Sequence, residues 1–241
     1  MQVAIVTGAS RGLGRSLAEG LVRQGWSVVI DGRDPDALAE AAASLNPLLF
    51  SGAVLRATAG DITDENHRRD LVAAAAELGR LDLLVNNAGT LGAAPLPPLS
   101  AYPLNELRVA FEVNVVAPLA LIQAALPLLA ASPKPRIVDI TSDAAVEPYE
   151  GWGGYGAGKA ALEHLGAVLA VEVPSVTTWS VDPGDLRTRM HQDAFPGEDI
   201  SDRPEPDSVV PAFLALVESG LPSGRYRAAD MVGTVVVGAP A

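Results

Sequence analysis

Val3-Ala4-Ile5-Val6-Thr7-Gly8-Ala9-Ser10-Arg11-Gly12-Leu13-Gly14 reads as a strand joined to a helix by a glycine-rich turn. Four apolar residues, three of them β-branched, lead into Gly8, as a short buried strand leads into a turn. Leu13, Leu17, Leu21 and Val22 then recur at helical spacing. The three glycines, Gly8, Gly12 and Gly14, follow the pattern G-x-x-x-G-x-G at the joint. Glycine lets the backbone approach an anion closely, and the start of a helix offers free N–H groups at the positive end of its dipole. The stretch therefore predicts a βα unit with a pyrophosphate-binding turn. An ordinary strand-to-helix turn is the plain alternative.

The same alternation continues along the chain. Strands are expected at Ser27–Asp31, Val54–Thr58, Leu81–Asn86, Arg136–Thr141, Val176–Val181 and Arg225–Ala229. Helices are expected at Ala37–Leu45, Leu71–Leu78, Leu104–Leu129, Tyr155–Val171 and Ser208–Glu218. Buried strands alternating with helices imply a doubly wound, Rossmann-type α/β fold: about seven parallel strands with helices on both faces. Two segments break the rhythm, Thr90–Pro103 and Arg187–Pro206. Loops of that length in a compact domain commonly carry function, and the second is expected to be a substrate lid.

Composition narrows the function. The 241 residues are 49% hydrophobic, enough for one sizeable core, and no linker divides them, so residues 1–241 are read as one domain. There is no cysteine, which excludes disulfides and thiolate chemistry. The three histidines, His67, His164 and His191, have no metal-ligand spacing, so no metal is expected. A net charge of −12 without a basic cluster argues against nucleic acid and anionic membrane as partners. The opening residues show no leader pattern, and the apolar runs are interrupted before membrane-spanning length. Cytoplasmic residence is the expectation.

Three further motifs occur in order. Asn86-Asn87-Ala88-Gly89 ends the fourth strand. Tyr155-Gly156-Ala157-Gly158-Lys159 opens a helix, with Ser142 at the end of the fifth strand. Pro183-Gly184 follows the sixth. With the Gly-rich turn, these make the chain resemble the single-domain short-chain dehydrogenase/reductase family over Gln2 to about Asp230. The resemblance implies catalytic roles for Ser142, Tyr155, Lys159 and Asn114. It implies nicotinamide-cofactor contacts at Gly8, Ser10, Arg11, Gly12, Leu13, Gly14, Asp61, Ile62, Asn87, Ala88, Gly89, Tyr155, Lys159, Pro183, Gly184, Leu186 and Thr188. Asp61 would hydrogen-bond the adenine amino group; it could equally belong to a helix N-cap region beside Thr63.

The chemistry can be argued from the residues. Tyr155 and Lys159 lie four apart on a helix and share a face. A phenol is too weak an acid for easy proton exchange at neutral pH, and a nearby ammonium is expected to lower its pKa. Tyr155 could then protonate a carbonyl oxygen as hydride arrives, with Ser142 stabilising the developing charge. Taken alone, Tyr155 and Lys159 could be merely an amphipathic helix surface. Asn114 lies in an apolar helical stretch and needs a hydrogen-bonding reason; the resemblance implies a water-linked proton relay, and a locally satisfied kink is the alternative.

Cofactor choice rests on Val28-Val29-Ile30-Asp31-Gly32-Arg33. NAD-preferring relatives place an acid at the end of this strand. Asp31 could be that acid, but alignment on Arg33 puts the discriminating position at Gly32. Arg33, helped by Arg11, is then free for a 2′-phosphate, and NADP(H) is expected in preference to NAD(H). A solvated Arg33 is the alternative.

Substrate contacts are expected from Ala144, Val146, Trp152 and Met190, with Thr90, Leu91, Pro148, Tyr149 and Phe195 nearby. The set favours an apolar or ring-bearing carbonyl compound over a small charged one. The lid is expected to lack extra helices. An apolar C-terminal tail, residues 234–241, and two apolar helices suit a homodimer or homotetramer. The expected function is NADPH-dependent reduction of a ketone or aldehyde, or the reverse; the alternative is a catalytically silent NADP(H)-binding sensor.

Overall fold

The computed structural model describes residues 1–231, so the expectation for the tail 234–241 falls outside the described residues. Seven strands form one parallel sheet: β1 (Val3–Val6), β2 (Ser27–Gly32), β3 (Leu55–Ala59), β4 (Leu83–Asn86), β5 (Arg136–Ile140), β6 (Thr177–Asp182) and β7 (Gly224–Arg227). Their order is β3-β2-β1-β4-β5-β6-β7. The order reverses between β1 and β4, and in open α/β sheets ligands bind beyond the carboxyl ends of the strands at such a switch.

The two-residue period of β1 divides the core. Ala4 and Val6 face α1 (Gly12–Arg23), α2 (Pro35–Leu45) and α8 (Val210–Glu218), through Leu17, Leu38 and Phe213 among others. Val3 and Ile5 face α3 (Glu65–Glu77) and α5 (Ala117–Leu129), through Leu71 and Leu121. Each buried aliphatic side chain contributes about 1.5–3 kcal/mol. The two clusters therefore hold the strand ends firmly under the crevice.

Several boundaries differ from expectation, each for a local reason. Helix α3 begins at Glu65, because the Asp64 carboxylate caps it by accepting from Asn66 N. Its first turn is polar, so the apolar period starts only later. The long helix expected over 104–129 is three pieces: α4 (Leu104–Phe111), a π-helical turn at Glu112–Val116, and α5. The whole run is long and apolar enough, by length and composition, to cross a membrane. Ala117, Leu121, Ile122, Ala125 and Leu129 nevertheless pack in the core. Helix α6 (Gly153–Glu172) carries the Tyr155 motif. The lid contains a helix that was not expected, α7 (Arg189–Ala194), started by the Thr188 hydroxyl accepting from His191 N. The last helix of the Ser208 region begins with a 3-10 turn at Pro206–Val209. Strand β7 ends at Arg227, where α9 (Ala228–Met231) follows, burying Ala228 and Met231.

Candidate active site

The glycine turn is built so that nothing stands between backbone and ligand. Gly8 and Gly12 have φ of +65° and +55°, which L side chains rarely adopt. A Cβ on Gly14 would collide with the Asn87 amide and the Gly8 carbonyl. Asn87 Nδ2 donates to Thr7 O and Gly8 O at 2.8 and 3.1 Å, and the N–H groups of Asn87 and Ala88 both donate to Thr7 Oγ1 at 3.0 Å. The Asn-Asn-Ala-Gly segment thus clasps the turn. Arg11, the residue before α1, supplies no side-chain cap, so the N–H groups of the first turn are left for an anion. These features fit a dinucleotide pyrophosphate.

At the end of β2 the structure separates two roles. Asp31 is buried: its Oδ1 accepts from Gly8 N at 2.5 Å and its Oδ2 lies 3.0 Å from His67 Nε2. It therefore braces the turn from below. The His67 ring has room only because residue 60 is glycine, where a Cβ would strike it. A Cβ on Gly32 would lie 2.9 Å from Ser10 Cβ, so an acidic side chain at this position would crowd the turn. Arg33 makes no hydrogen bond or ion pair to the described residues and lines the cleft, while Arg11 pairs with Asp34 at 3.5 Å. Asp61 Oδ1 accepts from the N–H and hydroxyl of Thr63 at 2.9 and 2.8 Å. Burial opposes its ionisation, but those bonds and the charges of Arg33 and His67 carry its pKa below the usual carboxylate value. Helix α3 itself is capped by Asp64.

The side chains expected to be catalytic come from three places: Ser142 after β5, Asn114 in the π turn, and Tyr155 and Lys159 in α6. Lys159 is buried in α6; its Nζ donates to Ile140 O at 2.7 Å and lies 5.6 Å from the centre of the Tyr155 ring. Burial lowers the Lys159 pKa to about 8, against the pull of Asp139 and Glu163. Tyr155 departs from expectation. In the free protein its pKa is pushed up, first by burial and then by the charges of Asp182 and Asp143. The lone ammonium does not overcome these. Ser142 donates its hydroxyl to Asp143 Oδ1 at 2.9 Å, so it must turn from Asp143 to reach a substrate oxygen. Tyr149 donates to the other oxygen of Asp143 at 3.0 Å.

Asn114 sits at the π turn, fully buried. Its Oδ1 accepts from Thr90 N at 2.9 Å and its Nδ2 donates to Thr90 O at 2.8 Å. Its side chain is a clamp on the strand-end loop, with both polar atoms occupied. These bonds supply the hydrogen-bonding reason that a buried Asn needs here. The extra residue in a π turn is a common device for aiming a side chain at a functional site. A Cβ on Gly89 would lie 3.2 Å from Asn114 Oδ1 and 3.7 Å from Lys159 Nζ, so Gly89 keeps the space between them open.

One cleft of about 1010 Å³ unites these parts. Among the residues anticipated from the sequence, Gly8, Ser10, Arg11, Gly12, Leu13, Arg33, Asp61, Ile62, Asn87, Ala88 and Gly89 line its nucleotide end. Ser142, Trp152, Tyr155, Lys159, Pro183, Gly184, Leu186, Thr188 and Met190 line the other end. Gly14 and Asn114 support it from behind. Trp152 stands edge-on to Tyr155 with ring centres 5.6 Å apart, and Phe195 follows at 5.9 Å from Trp152. Ala144 and Met190 pack with this group. Val146 does not: it is 56% exposed and outside the cleft, because the 3-10 turn at Asp143–Ala145 directs the chain away. Sequence reasoning missed Asp143, Asp182 and Arg225. Asp143 and Asp182 were within reach, as the neighbours of Ser142 and Pro183; Arg225 carries no motif.

A crevice with a phosphate-binding turn at one end and a tyrosine, a lysine and a serine at the other defines a nucleotide-dependent oxidoreductase. The chain belongs to the short-chain dehydrogenase family, whose profile matches residues 2–199. Over 200 residues it is 38% identical to sepiapterin reductase of Rattus norvegicus, covering 79% of this chain and 76% of that one. It is 33% identical over 223 residues to the oxidoreductase YciK of Escherichia coli, covering 90% and 86%. A short chain dehydrogenase of Escherichia coli CFT073 complexed with NADPH superposes with a TM-score of 0.87 at 30% identity, covering 94% of this chain and 96% of that one.

Proposed function

We propose that this enzyme is an NADPH-dependent reductase of ketones or aldehydes, with Tyr155 as the proton donor. The observation that carries the proposal is the buried Tyr155, with Lys159 Nζ 5.6 Å from its ring centre, in one cleft with Ser142 and the glycine turn. Burial keeps the phenol protonated in the free protein and makes it a weak acid, so proton transfer relies on the Lys159 charge to stabilise the phenolate that forms. The reduced nicotinamide, when bound, supplies the hydride. Tyr155 Oη delivers its proton to the carbonyl oxygen, and the charge of Lys159 stabilises the phenolate that remains. Ser142, released from Asp143, donates to the same oxygen and limits its developing charge. Asn114 holds the loop at Thr90 in place.

NADP(H) as cofactor is supported by Arg33 at the cleft edge and by the space at Gly32 that an acid would overfill. The rat relative's name makes sepiapterin one member of a ketone panel. The apolar wall of Leu91, Trp152, Met190 and Phe195 favours ring-bearing members. Exposed Leu104, Val109, Val168 and Val171 support assembly as a homodimer or homotetramer, which light scattering would check. A cytoplasmic location belongs to the same reading.

NADPH oxidation should be measured across a panel of ketones and aldehydes. The expected result is turnover by the wild type and a loss of about a thousandfold in Tyr155→Phe. Equal rates in the two proteins would reject the mechanism. NADPH binding without turnover on every carbonyl tested would favour the sensor reading.

A further inference from the structure

Three consecutive residues at the end of β5 are each held by a different charged group. Ile140 O accepts from Lys159 Nζ at 2.7 Å, Thr141 Oγ1 donates to Glu163 Oε1 at 2.5 Å, and Ser142 O accepts from Arg225 Nη2 at 3.2 Å. Arg225 comes from β7, the far edge of the sheet, and it does more than hold Ser142. Its Nε donates to Glu163 Oε1 at 3.0 Å, one turn beyond Lys159 on α6. Its Nη2 also donates to Asp182 Oδ2 at 3.1 Å. The other oxygen of Asp182 accepts from Gly184 N at 2.9 Å and so fixes the Pro183-Gly184 turn at the cofactor end of the cleft.

We propose that Arg225 is a positioning residue for catalysis, locking the Ser142 strand end, the Lys159 helix and the Pro183-Gly184 turn into one frame. The proposal rests on the reductase reading above. No other described side chain is hydrogen-bonded to all of Ser142, Glu163 and Asp182. The planar guanidinium serves acceptors in several directions at once, a geometry that a lysine ammonium does not reproduce. Its surroundings make the link strong. The side chains of Asp182 and Glu163 are 3% and 15% exposed, so their charges are poorly screened by water. The only other cation near Asp182 among the described residues, Arg227, stands at 3.9 Å. Without Arg225, the buried Asp182 and Glu163 carboxylates would both lose their nearest cation. Asp182 is also one of the charges that raise Tyr155, so Arg225 moderates the field at the proton donor.

The test compares wild type, Arg225→Met and Arg225→Lys in three measurements. These are the Kd for NADPH by fluorescence titration without substrate, the kcat and KM for the best ketone, and the thermal midpoint. Arg225→Met should lower kcat by about tenfold or more, since small misplacements of reacting groups cost that much. It should also weaken NADPH severalfold through the Gly184 turn, while the KM for the ketone changes less than kcat. Arg225→Lys should recover part of the loss. If Arg225→Met does not fold, Arg225→Lys decides, with the same pattern at smaller size. A lower thermal midpoint with kcat and Kd at wild-type values would overturn the proposal. Should the wild type reduce no carbonyl compound, the reductase reading fails by itself, and the Kd values still decide whether Arg225 positions the cofactor turn.

Discussion

Two buried carboxylates stand on either side of the crevice, and they are treated differently. On β2, Asp31 has a partner for each oxygen, Gly8 N and His67. On β5, Asp139 accepts from Asn86 Nδ2 at 2.8 Å, and its other oxygen is buried without a hydrogen-bond partner among the described residues. Asp31 acts as a brace: it fixes a backbone that must meet an anion. Asp139 acts through its field. Burial raises its pKa to about 6, although Asn86 and the Lys159 charge resist this. The contrast extends to the two halves of the sheet. The β1–β2 half grips with backbone whose shape glycines allow, and the β5–β7 half works with charged side chains that hold one another.

Breaking the second half should change turnover most. Lys159→Met removes the cation beside Tyr155 and leaves Ile140 O unpaired, so kcat should fall by about a thousandfold in steady-state assays. Breaking the first half should change affinity instead. Gly14→Ala forces a Cβ against Asn87 and Gly8, and the Kd for NADPH by titration should rise about a hundredfold. Turnover at saturating cofactor should stay within a few fold of wild type. Arg33→Ala sharpens the same point: about tenfold weaker NADPH, with NADH unchanged in the same titration. Equal weakening of both would reject the phosphate role.

The smallest effect separates the carboxylates themselves. The folded-state pKa of Asp139 is raised above the ordinary 3.8 to about 6, so its protonated form favours the fold. That stability is fully present below about pH 4 and is lost as pH rises through 6. Asp139→Asn, which mimics the protonated acid, should therefore gain on wild type between pH 5 and 7. The gain is on the order of 1–3 kcal/mol in denaturant melts. Asp31→Asn should lose stability at every pH in that range, because an amide is a poorer acceptor for Gly8 N and His67.

The parts of this protein that depend on neighbours in the chain were legible from the residues alone. The strand-turn-helix of Val3–Gly14, the pairing of Tyr155 with Lys159 one helical turn away, and the freeing of Arg33 by Gly32 all lie within a few positions. Backbone conformation and helical periodicity act over that range. The π turn at Asn114 and the raised pKa of Tyr155 were not legible. Each is set by groups that approach through space: Thr90 against Asn114, Asp182 and Asp143 against Tyr155. Arg225 is the clearest case. It lies 83 positions from Ser142 and in no motif, and only the closure of β7 onto β6 brings its charge to the site. The residues able to do the chemistry are identifiable from the chain alone. The tertiary structure set their protonation and their alignment, because fields and hydrogen-bond geometry depend on distance in space and not along the chain.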